Sequence, residues 1–303
     1  MSRDADVRRQ LESAETLGTV VTTMKTLASV RIGQYRRAVT ALDASSTTLD
    51  LALQALVTLY PELIEAPPSA EGPSLAVVVF GSDRGLCGPF NERLARHAQE
   101  TLRDHATPSE SAGEGDPPAV LAVGRRMVSR LRAVGVPVAH HVRPPGALDT
   151  VDLAVLDVLS QVDAWRSAGR AERLLLIHAR PTSAAAYEPQ VVQVLPLDTA
   201  WLHALRARPW PSKRLPMPLS DAQRLLEGVI RQRIAHALVR AFAASQAAEN
   251  AARLAAMDAA ERNIEERVTA LRTAFQQARQ NAITEELLDI QAAYAVVGGE
   301  RNH

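Results

Sequence analysis

An α/β domain with a mostly parallel sheet, plus a long antiparallel coiled coil formed by the N- and C-terminal helices, is the fold class this sequence predicts. Three observations predict it. Apolar residues recur with a seven-residue period through the first sixty positions. Short β-rich runs then alternate with helical stretches between residues 74 and 200, and a second helical pattern, free of proline, runs from Ser220 onward. The organisation expected is an N-terminal shaft helix over 1–60, a central α/β domain over 74–200 and a C-terminal shaft helix within 212–297.

The first element has two seam positions. One is Val7, Ala14, Val21, Ala28, Tyr35, Leu42, Leu49 and Leu56; the other is Leu11, Gly18, Lys25, Ile32, Val39, Ser46, Leu53 and Tyr60. Mostly apolar seams sustained over this many heptads argue for a coiled-coil strand. At the helical rise, roughly 55 residues span about 80 Å. Asp4 is the expected N-cap, and Pro61 with Pro67 and Pro68 ends the helix. Gly33 within it costs about 1 kcal/mol relative to Ala.

The second element is read as strands at Leu75–Phe80, Ala119–Val123, Val136–Val142, Arg173–Ala179 and Gln190–Leu195. Helices are expected at Asn91–Asp104, Arg125–Ala133 and Leu148–Ala168. Alternation of this kind predicts a largely parallel sheet. The segment 107–118, "TPSESAGEGDPP", reads as a mobile surface loop.

In the third element Ser220 is the expected N-cap and Asp221 suits the first turn. Leu226, Ile230, Leu254, Met257, Ile264, Val268, Leu271 and Phe275 fall at three- and four-residue spacings. The phase then slips to Ile283, Leu287, Ile290 and Tyr294, a stutter that changes supercoiling locally. Two helices with apolar seams flanking a compact domain bury those seams on each other. The C-terminal helix is the longer, so its last turns are expected to extend past the partner. Alanine is abundant between 235 and 260 and aromatics make up only 4%, a composition suited to helices in close approach.

Charge is balanced, with 34 Lys plus Arg against 34 Asp plus Glu, so nothing in bulk points to nucleic acid. A single cysteine excludes an intrachain disulfide framework and a cysteine-based zinc cluster. The longest apolar run, Leu75–Phe80, is too short to cross a bilayer, and the N-terminus lacks the pattern of a signal peptide. A soluble, cytoplasmic protein without cofactor or metal is expected.

One stretch, "FGSDRGLCGPFN" (80–91), invites a catalytic reading, but each template fails on spacing. Gly81, Gly85 and Gly88 do not fit a dinucleotide fingerprint, no Lys follows to complete a P-loop, and Gly88 directly after Cys87 breaks a nucleophile elbow. Cys87 reads as small buried filler and Asp83–Arg84 as a local ion pair or helix-dipole partner. No catalytic residue is assigned. Two other features are charged: Lys25 in the seam beside Met24, and "ARQNAITEELLDI" (278–290). Lys25 either snorkels out of the seam or faces another protein. Arg279 with Glu286, and Gln280 with Thr284, share adjacent helix faces, which read as a solvated surface or as contacts near a protruding end.

Together these stretches resemble the gamma subunit of F-type rotary ATP synthases along nearly the whole chain. "MKTLASVRIGQYRRAV" (24–39) is similar to that family's Met-Lys helix, and "GSDRGLCGPFN" (81–91) to its Ser-Asp-Arg-Gly-Leu-Cys-Gly-Gly-x-Asn. "ARLAAMDAAERN" (252–263) and "ARQNAITEELLDI" (278–290) are similar to its two C-terminal signatures. The resemblance implies a non-catalytic central-stalk rotor coupling ion translocation to ATP synthesis or hydrolysis. It also implies that Met24, Lys25, Arg253, Arg279, Gln280, Thr284 and Glu286 meet the beta subunits. Alpha and beta subunits, epsilon and the membrane ring of c subunits are the partners implied, at the cytoplasmic face of the inner membrane. Pro89, Gln246, "FQQARQ" (275–280), "QAAY" (291–294) and Gly33–Gln34 depart from the family pattern, as in a divergent branch such as the N-type ATPases. Two alternatives stand beside this reading: a Cys87-dependent α/β enzyme on a coiled-coil stalk, and a purely structural coiled-coil adaptor.

Overall fold

The computed structural model describes residues 3–63, 74–105, 117–183 and 186–299, the side chains of 3–5, 285, 286, 289 and 292–299 excepted. Helix α1 spans Arg3–Leu59 and is followed by a short 3-10 turn, Pro61–Leu63. The central elements are β1 (Leu75–Phe80), α2 (Phe90–His105), β2 (Ala119–Val123), α3 (Arg125–Ala133), β3 (His140–Val142), α4 (Val151–Ser167), β4 (Arg173–Pro181), β5 (Tyr187–Leu195) and α5 (Thr199–Ala207). Helix α6 then runs unbroken from Ala222 to Gly299, 78 residues. The chain divides into two compact units, Ala28–Ala255 and Met1–Leu27 with Ala256–His303.

In the larger unit the strands form one sheet ordered β3-β2-β1-β4-β5. β1 pairs in parallel with β2 and β4, and β2 with β3, while β5 runs antiparallel to β4. The central strands read as continuous apolar runs because both of their faces are covered. Ala76, Val78 and Phe80 face α4 and the α6 residues Ile234, Leu238 and Phe242. Leu75, Val77 and Val79 face the opposite way, toward Leu94 of α2 and Met127 and Leu131 of α3. That is the two-residue period of a strand expressed as two cores.

Helix α6 is buried on all sides from Ala241 to Ala252. Phe242 enters one core, Ala248 and Ala252 the other, and Ala243 with Ala247 meets Tyr35 of α1. Small side chains are required where a helix is enclosed in this way, since each methylene added would push a neighbour out. The antiparallel pairing with α1 is also fixed by charge: Arg240 meets Asp43 at 2.6 Å and Arg233 meets Asp50 at 2.6 Å. Rising along α1 therefore means descending along α6.

The smaller unit repeats the antiparallel arrangement, with Arg272 bonding Glu15 at 2.8 Å. Its α1 seam residues Ala14 and Val21 are buried, and so are Met257 and Leu271 of α6, with Ile264, Val268 and Phe275 half-buried between and beyond them. The slipped positions Ile283, Leu287 and Ile290 are exposed. Tyr294 lies outside the side chains described.

Several expectations need correction. Asp221, not Ser220, caps α6: its carboxylate accepts the Arg224 N–H at 3.2 Å. Asp4 lies inside α1 rather than at its cap. The third strand is confined to His140–Val142, because an edge strand pairs on one side only and Val136–Ala139 leave the ladder. Leu148–Thr150 form a separate 3-10 turn before α4, and α5 was not foreseen. The breaker-rich segment 107–118 lies, but for its last two residues, outside the described residues.

Candidate functional site

The glycine-rich corner joins β1 to α2. Asn91 organises it: its side-chain oxygen accepts the Ser82 N–H at 2.9 Å, and its amide donates to Ser82 Oγ at 2.7 Å. Ser82 Oγ in turn donates to the Arg84 carbonyl at 2.8 Å. Gly124 sits at φ +98°, and a Cβ there would lie 2.6 Å from the Ser82 carbonyl oxygen. Glycine is thus needed for conformation and for space. Asp83 accepts the Arg125 N–H at 2.9 Å, capping α3 from across the corner. Burial opposes the Asp83 carboxylate, but the Arg125 N–H and guanidinium outweigh it and hold the group below its ordinary range. Of the two readings of Asp83–Arg84, the helix-terminus one holds for Asp83, while its ion pair is with Arg125 rather than Arg84.

Cys87 is 2% exposed. Its sulfur lies 3.7 Å from Ser82 Oγ and 3.7 Å from the Asn91 amide, and 3.9 Å from the Arg84 carbonyl. None of these is a base, and burial pushes the thiol up from its ordinary value. A protonated, enclosed thiol is not a nucleophile. Pro89 stands just ahead of α2, where a missing N–H leaves no helical bond unmade.

Arg253 projects from α6 toward this corner. Its guanidinium donates to Glu249 at 2.6 Å, to Asn250 Oδ1 at 3.3 Å and to the Gly85 carbonyl at 3.4 Å, and its side chain is 12% exposed. Burial dominates at Glu249 and holds its carboxyl above the usual carboxylate range despite the arginine. The pair ties the loop to the helix.

In the smaller unit Lys25 is answered by its own chain. Its ammonium lies 2.7 Å from Asp258 and 2.5 Å from Glu261, and Thr22 also donates to Glu261 at 3.1 Å. Glu261 occupies the seam position between Met257 and Ile264, so a seam cation is met by a seam anion. Met24 is half-buried beside it. Arg279, Gln280 and Thr284 are exposed on α6; Thr284 Oγ1 donates to the Gln280 carbonyl at 2.9 Å, and Arg279 forms no ion pair among the described residues. The Glu286 side chain lies outside the described residues. Asp258, Glu261 and Glu249 are the partners that sequence reasoning missed. Seam arithmetic on α6 would have found Glu261, whereas Glu249 is hidden in the alanine-rich run.

Among the described residues no cluster of three or more His, Cys, Asp or Glu side chains is placed to hold a metal, and no helix is long and apolar enough to cross a membrane. An open groove of about 600 Å³ is lined by Leu53, Val57, Leu202 and Ile230 together with the charged Arg166 and Glu172.

A family model described as ATP synthase matches residues 4–297. The chain belongs to the ATP synthase gamma family. It is similar to the ATP synthase gamma chain of Polaromonas sp., 27% identical over 98% of this chain and 100% of the relative. The gamma chain of Nostoc sp. is 25% identical over 94% and 96%. Among solved structures, a chain of the Euglena gracilis mitochondrial ATP synthase OSCP/F1/c-ring assembly matches with TM-score 0.65 at 18% identity, covering 99% of this chain and 96% of that one. A chain of the Tetrahymena thermophila central stalk and c-ring matches with TM-score 0.55 at 18% identity, covering 80% and 99%. As a gamma-family member the chain is a non-catalytic subunit, and the Cys87-dependent alternative finds no support.

Proposed function

We propose that this chain turns as the central-stalk rotor of an F-type ATP synthase or ATPase, coupling ion translocation through a membrane ring to nucleotide chemistry on beta subunits. The observation that carries the reading is the polar face of α6. Arg279 and Gln280 lie exposed near the end of a coiled coil, inside a match that runs to residue 297. A shaft without threefold symmetry presents a different face to each of three equivalent sites. Contacts that form and release every third of a turn favour a few polar side chains over a broad apolar seal.

On this reading Met24, Lys25, Arg279, Gln280, Thr284 and Glu286 meet the beta subunits in turn. Arg253 belongs to the same proposed set of beta contacts, and within its own chain its guanidinium is held by Glu249, Asn250 and the Gly85 carbonyl. The helices over 1–60 and 212–297 form the shaft, and the α/β domain over 74–200 docks epsilon and the ring of c subunits. The complex then lies at the cytoplasmic face of the inner membrane. The test is reconstitution: purified chain added to its cognate alpha and beta subunits should produce a stable assembly with ATPase activity well above that of alpha and beta alone. Assembly that leaves the activity at that background would overturn the reading.

A further inference from the structure

In the smaller unit α1 turns the poorer of two apolar stripes toward α6. The seam runs through Ala14, Gly18, Val21 and Lys25, and a Cβ on Gly18 would lie 3.6 Å from Ile264 of α6. One residue away lies a richer stripe, Leu17, Val20, Met24 and Leu27, which also shares a single helix face. That stripe faces outward, with Leu17 57%, Val20 45% and Leu27 56% exposed and Met24 half-buried. Turning α1 about its axis by one residue, about 100°, would exchange Gly18 for Leu17, Val21 for Val20 and Lys25 for Met24. Apolar burial alone favours the exchange.

Charge opposes it. The Lys25 ammonium lies 2.7 Å from Asp258 and 2.5 Å from Glu261, and Thr22 Oγ1 donates to Glu261 at 3.1 Å. Glu261 shares the α6 seam with Met257 and Ile264. Swinging Lys25 away would therefore leave a seam carboxylate against apolar side chains, without its cation. Polar groups at a seam cost stability but specify how the two helices meet. The Arg272–Glu15 pair is exposed, and such pairs contribute too little to hold the setting alone.

We propose that Asp258 and Glu261, acting through Lys25, are positioning residues that set the rotation of α1 about its own axis and keep Met24 facing outward. The proposal rests on the rotor reading in one respect, since Met24 belongs to the contact set proposed for the beta subunits. The rotational lock itself concerns this chain alone.

The test is disulfide trapping in the full chain, where Cys87 is 2% exposed and does not compete. The pair G18C/I264C reports the observed setting and L17C/I264C the turned one. With the lock intact the first pair should close at least about tenfold faster, because hydrogen bonds to charged groups are worth about that factor. D258N/E261Q should erase or reverse this preference, and the charge exchange K25E/E261K should keep it. A general loss of stability would change both pairs alike. A preference unmoved by D258N/E261Q, or lost in K25E/E261K, would overturn the lock. The same variants assembled with alpha and beta subunits test the positioning role. Turnover should fall in D258N/E261Q, by about threefold or more, and should return when the G18C/I264C disulfide is closed in that background. A moved preference with undiminished turnover would overturn the role. A parent chain that fails to activate alpha and beta subunits would strike the rotor reading and the role of Met24 with it, while the lock stands or falls on the trapping alone.

Discussion

Glycine is required at some of its positions and tolerated at others, and the structure separates them. At Gly124 a side chain meets both a left-handed backbone and the Ser82 carbonyl, so Gly124→Ala should lower stability by about 3 kcal/mol. Gly33 lies in the middle of α1, and a Cβ there would touch only the Arg37 guanidinium, at 3.9 Å. Gly33→Ala should raise stability by about 0.5 to 1 kcal/mol. Thermal unfolding of the two variants checks both signs. Residue types at this scale were legible where chemistry has one answer and illegible where it has two. Cys87 reads correctly as filler because no catalytic spacing surrounds it. Ser220 and Asp221 are both good capping types, and only backbone geometry decides for Asp221. Lys25 was visible as a seam cation, but its acids lie more than two hundred residues away on another helix.

At the scale of elements, periodicity carried most of the information. The α1 seam is recovered because 14, 21, 28 and 35 are all buried, and the central strands because both faces are covered. Helix α5 escaped notice, being short and bounded by Pro196 and Pro209, while β3 is an edge strand with too few residues for a pattern. The alanine run of α6 leads to a direct prediction. Ala247 is fully buried against Tyr35 and Ala243, so Ala247→Leu should force the helices apart and cost about 1 to 3 kcal/mol, read as a lower urea midpoint. Charge in the smaller unit predicts a pH response. Hydrogen bonding to Lys25 holds the Glu261 carboxyl below its ordinary value, and Asp258 and Glu261 hold Lys25 above its own. The Glu261 contribution is therefore present above about pH 4.5 and lost as pH falls through its lowered value, while that of Lys25 is lost only as pH rises past its raised one. The difference in melting temperature between wild type and Lys25→Gln should be flat from about pH 5 to about pH 10 and shrink by about pH 3. A difference unchanged in acid would show that the lysine stem, not its charge, supports the seam.

At the scale of the whole molecule, folding and coupling draw on different residues. The corner at 81–91 and the Arg253–Glu249 pair are enclosed, so changes there act through stability. Arg279 is exposed and makes no ion pair among the described residues, so changing it should leave the fold intact. A structural adaptor and a coupling rotor make opposite predictions for this residue. In an adaptor, Arg279→Glu is silent once assembly is achieved. In a rotor it should leave the melting temperature within about 1 °C, because surface substitutions cost little, and should leave co-assembly with alpha and beta subunits intact. Turnover alone should fall, by about tenfold or more, as truncating or reversing one member of a partly desolvated charge pair costs about 2 kcal/mol. Measuring subunit ratio and ATPase rate on the same purified complex separates the cases. Full turnover with normal assembly would remove Arg279 from the coupling set, and loss of assembly would make it a docking residue instead.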